Sequence, residues 1–369
     1  MRHNLTPQSK NSEELNEEYL KLFKEYLGNK VVRDHKIIDS FSEEIKNISG
    51  FNYCNIVSSG TTALRLLLKA LNIQNGSTVI TTPLTYSATA TAALDNGLNV
   101  KYCDVDPVTL QMDEKSIESM IDDSVSVILR VHLNGNYCDL SSIEKKHPDI
   151  LIIDDAAQIF PIYKKNKEKF SKYCALSFSP SKNLAGMFEA GAVLCDDIEI
   201  YKKISLLANN GNSGNFLYPI SGENGKVDTF SCSLLSKNFS YIDDWVTRRN
   251  AIAEQYDCDL VKLNEIELVF RNQIQTNNKY SLIIKNQDDR DKLIKYLTNQ
   301  EIEVGVFYPV PLNKQKVLGN NSCPIAEELS KRIISLPIHH NLSSDDIHFI
   351  TNSIKEYFYE KNGNLCMES

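Results

Sequence analysis

The stretch LIIDDAAQ, residues 151–158, places two carboxylates directly after a run of branched apolar residues. Such a run is typical of a strand buried on both faces, and Asp154 and Asp155 stand where this strand would end. Ligands of open α/β sheets bind at the carboxyl ends of the strands. These acids could therefore bind a metal, a ribose or a protonated ring nitrogen, or they could only cap the next turn. The stretch alone leaves that choice open.

Short apolar runs of this kind alternate with helical patterns between about residues 53 and 195. The runs cover residues 55–58, 78–81, 100–103, 125–131 and 150–153. Leucines at helical spacing mark residues 61–73 as a helix between the first two runs. This alternation predicts βαβ units, and hence an α/β fold with a mostly parallel sheet.

The length of the chain and the pattern beyond residue 208 predict a second, smaller domain. A chain of 369 residues exceeds what one hydrophobic core usually spans. Residues 209–228 are dense in Gly, Asn and Ser, which predicts a long loop. Helices are predicted at 242–256, 288–299 and 343–358, and strands at 266–269 and 280–284. We expect a large domain over residues 1–241 and a smaller α+β domain over 242–369.

The composition argues against nucleic-acid, metal and membrane partners. The net charge is −8 and no basic stripe is present, which disfavours nucleic acid. The nine cysteines form no C-x-x-C pair, so neither a disulfide framework nor a zinc site is expected. Residues 1–19 are polar, and no apolar run is long enough to cross a bilayer. We expect a cytoplasmic protein without a metal.

Two further stretches could carry chemistry. In SSGTTAL, residues 58–64, a strand ends and a helix begins across Gly60, and the free N–H groups of such a turn attract phosphate. The same turn is common as a plain helix cap. In SFSPSKNL, residues 177–184, Lys182 follows a strand, hydroxyls and a proline. Most lysines lie on the solvated surface of a protein. Lys182 differs because it comes, in order along the chain, after a phosphate-type turn, an acid at a strand end and Ser177, which favours a functional role for it.

In order and spacing these three stretches resemble the sugar aminotransferases of the DegT/DnrJ/StrS type, which are pyridoxal-phosphate (PLP) enzymes of fold type I. The resemblance runs from about residue 38 to residue 357. It extends to TYSAT at 85–89, DVDP at 104–107, VHLNG at 131–135, NGKVD at 224–228, FYPVPL at 307–312 and SLP at 335–337. The resemblance implies a large domain with a mostly parallel seven-stranded sheet flanked by helices, followed by a smaller α+β domain.

The resemblance also implies a role for individual residues around the cofactor ring. Lys182 would carry PLP as a Schiff base, and Asp155 rather than Asp154 would meet the pyridine nitrogen. Gln158 would lie beside the phenolic oxygen of PLP, and Tyr86 would stack on its ring. PLP stabilises a carbanion only while its ring nitrogen holds a proton, which a buried carboxylate keeps in place.

The phosphate of the cofactor has its own set of implied partners. Gly60, Thr61, Thr62 and Ser177 would form a cup for it, at a helix N-terminus. Asn224 would reach the same phosphate from the neighbouring subunit. The resemblance therefore implies a homodimer whose active site is shared between subunits.

The implied reaction moves an amino group from glutamate or glutamine to a keto-deoxysugar linked to a nucleoside diphosphate. It would follow a ping-pong scheme in which Lys182 also transfers the proton. KNLAG at 182–186 resembles the K-N-L-G-A variant of members that aminate C3 of the sugar, and NGKVD resembles their N-S-R-L-D pattern. A 3-keto sugar is therefore favoured over a 4-keto sugar.

Several positions depart from the family pattern, mostly on the substrate side. They are Phe160-Pro161, Glu189-Ala190-Gly191, Lys226, the residues 230–233 and Asn313. His132, Lys226 and Tyr308 are candidates for substrate contact. His132 could equally be a packed histidine at a strand end, and a buried aromatic is the more common role for a residue such as Tyr308. These departures leave the substrate less certain than the reaction.

Three other functions remain open on the sequence. A sugar dehydratase that uses the amino form of the cofactor typically replaces the lysine, which is present here. A fold-type-I enzyme acting on amino acids should carry a carboxylate-binding arginine in the small domain. Arg271, Arg290 and Arg332 occur there, but in no defensible motif. A non-catalytic binding or regulatory protein could also use this fold.

Overall fold

The computed structural model of the protein describes residues 3–5, 13–29, 34–319 and 321–365. Its large sheet has seven strands in the order β1-β7-β6-β5-β4-β2-β3. They are β1 (Tyr53–Val57), β2 (Thr78–Thr81), β3 (Asn99–Tyr102), β4 (Val125–Val131), β5 (Leu151–Asp155), β6 (Tyr173–Ser177) and β7 (Gly191–Cys195). Strands β3, β2, β4, β5 and β6 are mutually parallel, whereas β7 runs antiparallel to both β6 and β1. The predicted α/β fold with a mostly parallel seven-stranded sheet is confirmed.

A second, antiparallel sheet follows later in the chain. It has the order β10-β9-β8, with β8 (Ile266–Leu268), β9 (Tyr280–Ile284) and β10 (Ile333–Leu336). Two of these strands were predicted, and β10 was not. The division of the chain into residues 1–241 and 242–369 stays a prediction, because one apolar cluster contains residues of both sheets, among them Ile153 and Ile283.

Helices flank the two sheets along the chain. They are α1 (Glu13–Asn29), α2 (His35–Ser49), α3 (Gly60–Leu71), α4 (Ser87–Leu94), α5 (Glu114–Glu118), α6 (Ser141–Lys146), α7 (Ile198–Ala208), α8 (Thr229–Phe239), α9 (Ile242–Leu260), α10 (Gln287–Asn299), α11 (Pro324–Leu329) and α12 (Ser344–Leu365). The segment 209–228 between α7 and α8 contains no helix or strand, as its composition predicted. Among the described residues, no helix is both long and apolar enough to span a membrane.

The central strands are apolar throughout because both of their faces are covered. Along β6, Tyr173 and Ala175 join one apolar cluster, while Cys174 and Leu176 join another. Side chains of a strand alternate between its two faces, so the two clusters lie on opposite sides of the sheet. A continuous apolar run is therefore what a doubly covered strand requires.

Four strand ends meet at one edge of the large sheet. Val57 at the end of β1 and Ser177 at the end of β6 both pair with Gly191, the first residue of β7. Asp155 ends β5 and pairs with Val131, which ends β4. The carboxyl ends of β1, β4, β5 and β6 thus lie side by side, and the polar residues that follow them are brought together.

A buried ion pair joins β4 to β5 one residue before that edge. Arg130 lies opposite Asp154 in the sheet and donates two hydrogen bonds to its carboxylate, at 2.5 and 3.1 Å. Both side chains are fully buried. The Arg130 guanidinium and the His132 ring hold the pKa of Asp154 below its usual range, against the opposing effect of burial. This carboxylate is ionised in the folded protein, and it stabilises the pairing of β4 with β5.

We predict that removing this carboxylate destabilises the fold strongly. Asp154→Ala leaves the buried Arg130 guanidinium with only the partly exposed Glu144 carboxylate, at 2.9 Å, as an ionic partner, which costs about 3–5 kcal/mol of unfolding free energy. Glu43→Ala is the matched control, because it breaks an ion pair with Lys46 in which the Glu43 side chain is 61% exposed, worth less than about 1 kcal/mol. Equilibrium urea unfolding followed by circular dichroism measures both. Equal losses in the two variants would contradict this account.

Candidate active site

A cavity of about 480 Å³ opens at the edge of the large sheet where the four strand ends meet. Its wall includes Asp155 and Ser177, the last residues of β5 and β6, together with Lys182. The other residues around it are Ser59, Gly60, Thr61, Leu64, Thr85, Tyr86, Ala88, Thr89, Val131, Ala157, Gln158, Ala175, Ser179, Ser181 and Glu189. Of the twelve residues predicted for the site, the structure brings seven to this one cavity.

The N-terminus of α3 forms one side of the cavity. Ser59 is the N-cap, and its hydroxyl accepts the N–H of Thr62 at 3.1 Å. The N–H groups of Gly60 and Thr61 belong to the first turn, where a helix offers no internal acceptor. These two residues line the cavity, so their N–H groups and the positive end of the helix dipole can serve an anion.

The turn before α3 is packed against the sheet so closely that it needs glycine. A Cβ built on Gly60 would lie 2.8 Å from Cβ of Ser177, and one built on Gly191 would lie 2.4 Å from the carbonyl carbon of Ser59. The chain at Gly60 is therefore held against the end of β6, which brings the Ser177 hydroxyl beside the first turn of the helix. Thr62 turns away from the cavity, and its hydroxyl lies 3.0 Å from those of Ser58 and Ser59.

Asp155 faces the cavity because its neighbour Asp154 faces the opposite side of the sheet. It is buried, and its Oδ2 accepts the hydroxyl of Thr89 at 2.7 Å. The Thr89 hydroxyl in turn lies 3.0 Å from that of Thr85. A buried carboxylate oriented by a hydroxyl pair is suited to hold a proton on a ring nitrogen. The sequence marked both acids, and strand alternation distinguishes their roles.

Lys182 lies across the cavity from the strand ends. Its backbone N–H donates to the carbonyl of Ser179 at 2.9 Å, which closes a tight turn after β6. Desolvation lowers the pKa of its amine, while the nearby carboxylates of Asp155 and Glu189 act in the opposite direction. A lysine with a lowered pKa is uncharged more often at neutral pH and is therefore a better nucleophile and base.

Tyr86 and Gln158 stand where the cavity opens further. Tyr86 is the residue before α4, and its side chain is 64% exposed, so one face of its ring is free to stack. The side-chain oxygen of Gln158 accepts the N–H of Asn134 at 2.8 Å. This bond fixes a loop residue that has a positive φ of 64°. Both side chains also line a second cavity.

The second cavity, of about 330 Å³, shares Tyr86, Gln158, Ser181 and Lys182 with the first. Its remaining wall consists of Leu5, Leu133, Asn134, Asn278, Lys279, Glu303, Phe307 and Tyr308. Tyr308 is half-buried there, and burial together with Asp155 raises the pKa of its hydroxyl, which stays protonated at neutral pH. The predicted candidate Tyr308 thus reaches the same space as Lys182 rather than the apolar core alone.

His132 lies outside both cavities. It is fully buried, its Nδ1 accepts the N–H of Cys138 at 3.1 Å, and its Nε2 lies 3.1 Å from Asp154. Burial lowers the pKa of His132, so the ring is neutral and donates from Nε2 to Asp154. This placement corrects the expectation of substrate contact and agrees with the alternative of a packed histidine at a strand end.

Asn224 and Lys226 also lie away from the cavities around Lys182. Asn224 pairs with Asn209 at the base of the 209–228 segment. Lys226 lines a separate cavity of about 370 Å³ together with His35 and Asp39. Gly225 between them accepts the backbone N–H of Ser58 at 2.9 Å, so this segment passes beside the turn before α3, although neither Asn224 nor Lys226 lines the cavities around Lys182. Across the described residues, no group of three or more His, Cys, Asp or Glu is arranged to hold a metal ion.

The sequence did not mark several residues that complete the site. Thr89 belongs to the TYSAT stretch, but nothing in that stretch showed that its hydroxyl would meet Asp155. Lys279 directly precedes β9, and Glu303 follows α10. No motif in the sequence marked either residue as part of a site. Their place in the second cavity follows from the packing of the two sheets.

A comparison with protein families matches residues 13–355 to the DegT/DnrJ/EryC1/StrS aminotransferase family. A relative from Pseudomonas aeruginosa, UDP-2-acetamido-2-deoxy-3-oxo-D-glucuronate aminotransferase, is 29% identical over 322 residues, which cover 85% of this chain and 88% of the relative. A second relative, dTDP-4-amino-4,6-dideoxy-D-glucose transaminase from Shigella dysenteriae, is 31% identical over 320 residues, covering 83% and 86% of the two chains.

Solved structures share the fold over nearly the whole chain. The crystal structure of NtdA from Bacillus subtilis, with bound pyridoxamine phosphate (PMP), superimposes with a TM-score of 0.88 at 22% identity. The match covers 96% of this chain and 87% of that chain. The first cavity suits such a cofactor, because a helix N-terminus, a buried carboxylate and a desolvated lysine converge there.

We predict that Gly60→Ala weakens PLP binding. The added Cβ would lie 2.8 Å from Ser177, so the helix turn or the serine must move. Overpacking of this kind costs about 1–3 kcal/mol, and because the bound phosphate needs the native turn, this corresponds to about a 5–150-fold rise in the dissociation constant of PLP. Gly28→Ala in α1 is the control, because no atom lies within 4 Å of its Cβ position. Fluorescence titration of the apoprotein with PLP measures both, and unchanged binding in Gly60→Ala would exclude this turn as the phosphate site.

Proposed function

The chain belongs to the DegT/DnrJ/EryC1/StrS aminotransferase family, a family of PLP-dependent enzymes, and we propose that it aminates a keto-deoxysugar linked to a nucleoside diphosphate. The amino donor would be glutamate or glutamine. The observation that carries the proposal is the convergence of Lys182, Asp155 and the N-terminus of α3 on one cavity. None of these three features binds a cofactor alone, and together they match the ring, the phosphate and the aldehyde carbon of PLP.

Different residues around the first cavity would bind different parts of the cofactor. Gly60, Thr61 and Ser177 would hold the phosphate, and Asp155 would keep the ring nitrogen protonated. PLP, once bound, withdraws electrons from the carbon next to the transferred nitrogen, so that this carbon can lose a proton. Lys182 would bind the cofactor covalently between turnovers through Nζ.

Lys182 would then act twice through the same atom. Once the donor amine has displaced it, Nζ would be free to accept the proton from the α-carbon of the donor. It would return this proton to C4′, the carbon of the cofactor that bears the transferred nitrogen. In the second half of the reaction the direction is reversed, and Nζ delivers a proton to the sugar carbon. The lowered pKa of Lys182 suits this exchange, because a base must be uncharged to accept the proton.

The two halves of the reaction would use the same space in turn. Lys182 lines both cavities, and the two cavities share Tyr86, Gln158 and Ser181. A keto acid must therefore leave before a sugar can approach the same amine. This arrangement supports the ping-pong order.

The ketone is proposed to lie at C3 of the sugar. KNLAG at 182–186 and NGKVD at 224–228 resemble the patterns of members that act at this carbon. The names of the relatives given above include a 3-oxo and a 4-amino sugar, so both positions occur within the family. The C3 preference therefore depends on the two stretches of sequence.

Two copies of the chain are proposed to form each active site. Asn224 and Lys226 lie away from their own cavity, on the segment between α7 and α8. In a homodimer this segment of one subunit would reach the cofactor phosphate of the other. Asn224 would donate a hydrogen bond there, and Lys226 would contact the substrate.

We predict that Lys182→Ala abolishes transamination and still binds PMP. Wild-type protein with PLP should be yellow, and L-glutamate or L-glutamine should convert its absorbance to that of PMP. Lys182→Ala should lose at least about 10²–10⁴-fold in turnover, because the base is missing. The exposed Lys202→Ala is the control and should keep full activity.

Three results would contradict the proposal. Transamination retained in Lys182→Ala would exclude this lysine as the base. A wild-type protein that stays colourless with PLP, or ignores every amino donor, would favour a non-catalytic protein. Release of water from a nucleotide-linked keto sugar, without amination, would identify a dehydratase.

We predict that Lys182→Ala and Asn224→Ala complement each other when mixed. Each variant alone should be inactive or nearly so. After subunit exchange, half of the dimers are mixed, and each mixed dimer has one site with both native residues, so about a quarter of wild-type activity returns. Native mass spectrometry of the mixture checks that the subunits have exchanged. Recovery no greater than the sum of the separate variants would show that Asn224 does not act across the interface.

A further inference from the structure

Lys279 is the second basic side chain beside Lys182. Of the described residues around the two cavities, only Lys182 and Lys279 are lysines, and no arginine lines either one. Lys279 directly precedes β9 and lies in the second cavity with Glu303 and Phe307. It is therefore placed on the small sheet, opposite the cofactor residues of the large sheet.

The ammonium group of Lys279 has no carboxylate partner in the described part of the chain. Its Nζ lies 4.7 Å from the centre of the Phe307 ring, and its backbone N–H donates to the carbonyl of Asn134. Burial, Lys182 and Arg249 lower the pKa of Lys279 to about 8, and Glu303 opposes this effect. The group is thus mostly cationic at neutral pH, partly desolvated and without an ion pair, an arrangement that an anion would complete.

The amino donor carries an α-carboxylate, which enters the space beside Lys182 in every turnover. Its carboxylate is attached to the carbon whose proton Lys182 removes, so the two groups must lie within a few ångströms of each other. The arginines that could serve instead are committed to other carboxylates: Arg271 to Asp257, Arg290 to Asp291 and Arg332 to Glu328. Among the described residues around the two cavities, Lys279 is therefore the basic side chain other than Lys182 that an anion could meet.

We propose that Lys279 binds the α-carboxylate of the amino donor, an inference that rests on the function proposed above. Phe307 packs against the ammonium group of Lys279, and both residues line the cavity that Lys182 also lines. Glu303 is fixed in the same cavity by the N–H of Leu5 at 3.0 Å. This fixed negative charge repels the two charges of a diphosphate more than the single charge of a carboxylate, which favours the amino acid as the ligand.

The test compares the half-reaction of the PLP-loaded enzyme with L-glutamate in three variants. Lys279→Met removes the charge and keeps an unbranched side chain one atom shorter. Lys279→Arg keeps the charge, and Lys285→Met changes an exposed lysine just after the same strand. The absorbance change gives the apparent dissociation constant of L-glutamate, or of L-glutamine if that donor reacts. 4-Aminobutyrate, which is glutamate without its α-carboxylate, is measured as a competitor. UDP-glucose and UDP-glucuronate are measured as inhibitors.

We expect Lys279→Met to raise the dissociation constant of L-glutamate about 10–100-fold, the value of one charge-assisted hydrogen bond. The inhibition constants of 4-aminobutyrate and UDP-glucose should stay within about twofold of wild type, because neither offers an α-carboxylate. Lys279→Arg should retain most of the affinity, and Lys285→Met should retain all of it. A selective loss of this kind is not expected from a general disturbance of the fold.

Other outcomes would overturn the inference. Equal weakening of L-glutamate and 4-aminobutyrate would mean that Lys279 only supports the wall of the cavity. A loss confined to UDP-glucose would assign Lys279 to the diphosphate, and a lost preference for UDP-glucuronate over UDP-glucose would assign it to a carboxylate on the sugar. No change in any constant would leave Lys279 without a substrate role. Wild-type enzyme that reacts with no amino donor would instead refute the proposed function itself.

Discussion

The buried ion pair between Arg130 and Asp154 is the constraint on which the site depends. The two residues lie directly opposite each other on β4 and β5, and both are sealed from water. A slip of one residue in this pairing would leave the guanidinium buried without its carboxylate, at a cost of several kcal/mol. The register of β5 is therefore fixed, and the alternation of its side chains turns Asp155 toward the cavity. The ion pair on one face of the sheet thus determines which acid is available on the other.

Asp155 and Lys182 line the same cavity, and both have little contact with water. Lys182 is partly desolvated, which lowers its pKa and favours the uncharged amine that the chemistry needs. Asp155 is buried as well, and its Oδ2 accepts a hydrogen bond from the Thr89 hydroxyl. The cavity at the ends of the parallel strands thus holds a desolvated lysine and a carboxylate oriented by a hydroxyl group.

The cofactor side and the substrate side of the site come from different parts of the chain. Residues that would hold PLP lie at the ends of the large sheet and at the start of α3, where β6 and β7 restrict them closely. Lys279, Glu303 and Tyr308 lie on or beside the smaller sheet and face the same lysine. Such a division allows the residues of the second cavity to change while the residues that would hold PLP stay the same. The departures from the family pattern at Lys226 and Asn313 fall outside the cofactor residues, whereas the departure at Glu189 lies in the wall of the first cavity.

The sequence by itself determined the α/β fold, the order of its strands along the chain and the stretches that meet at the cavity. These are local properties, because apolar runs, helical spacing and glycine turns are written in neighbouring residues. Only the tertiary structure decided that His132 bonds to Asp154 inside the protein, that Asn224 and Lys226 lie away from their own cavity, and that Lys279 lies beside Lys182. Each of these facts joins or separates residues distant along the chain. Their positions depend on how the two sheets and the long 209–228 segment pack, which no local pattern encodes.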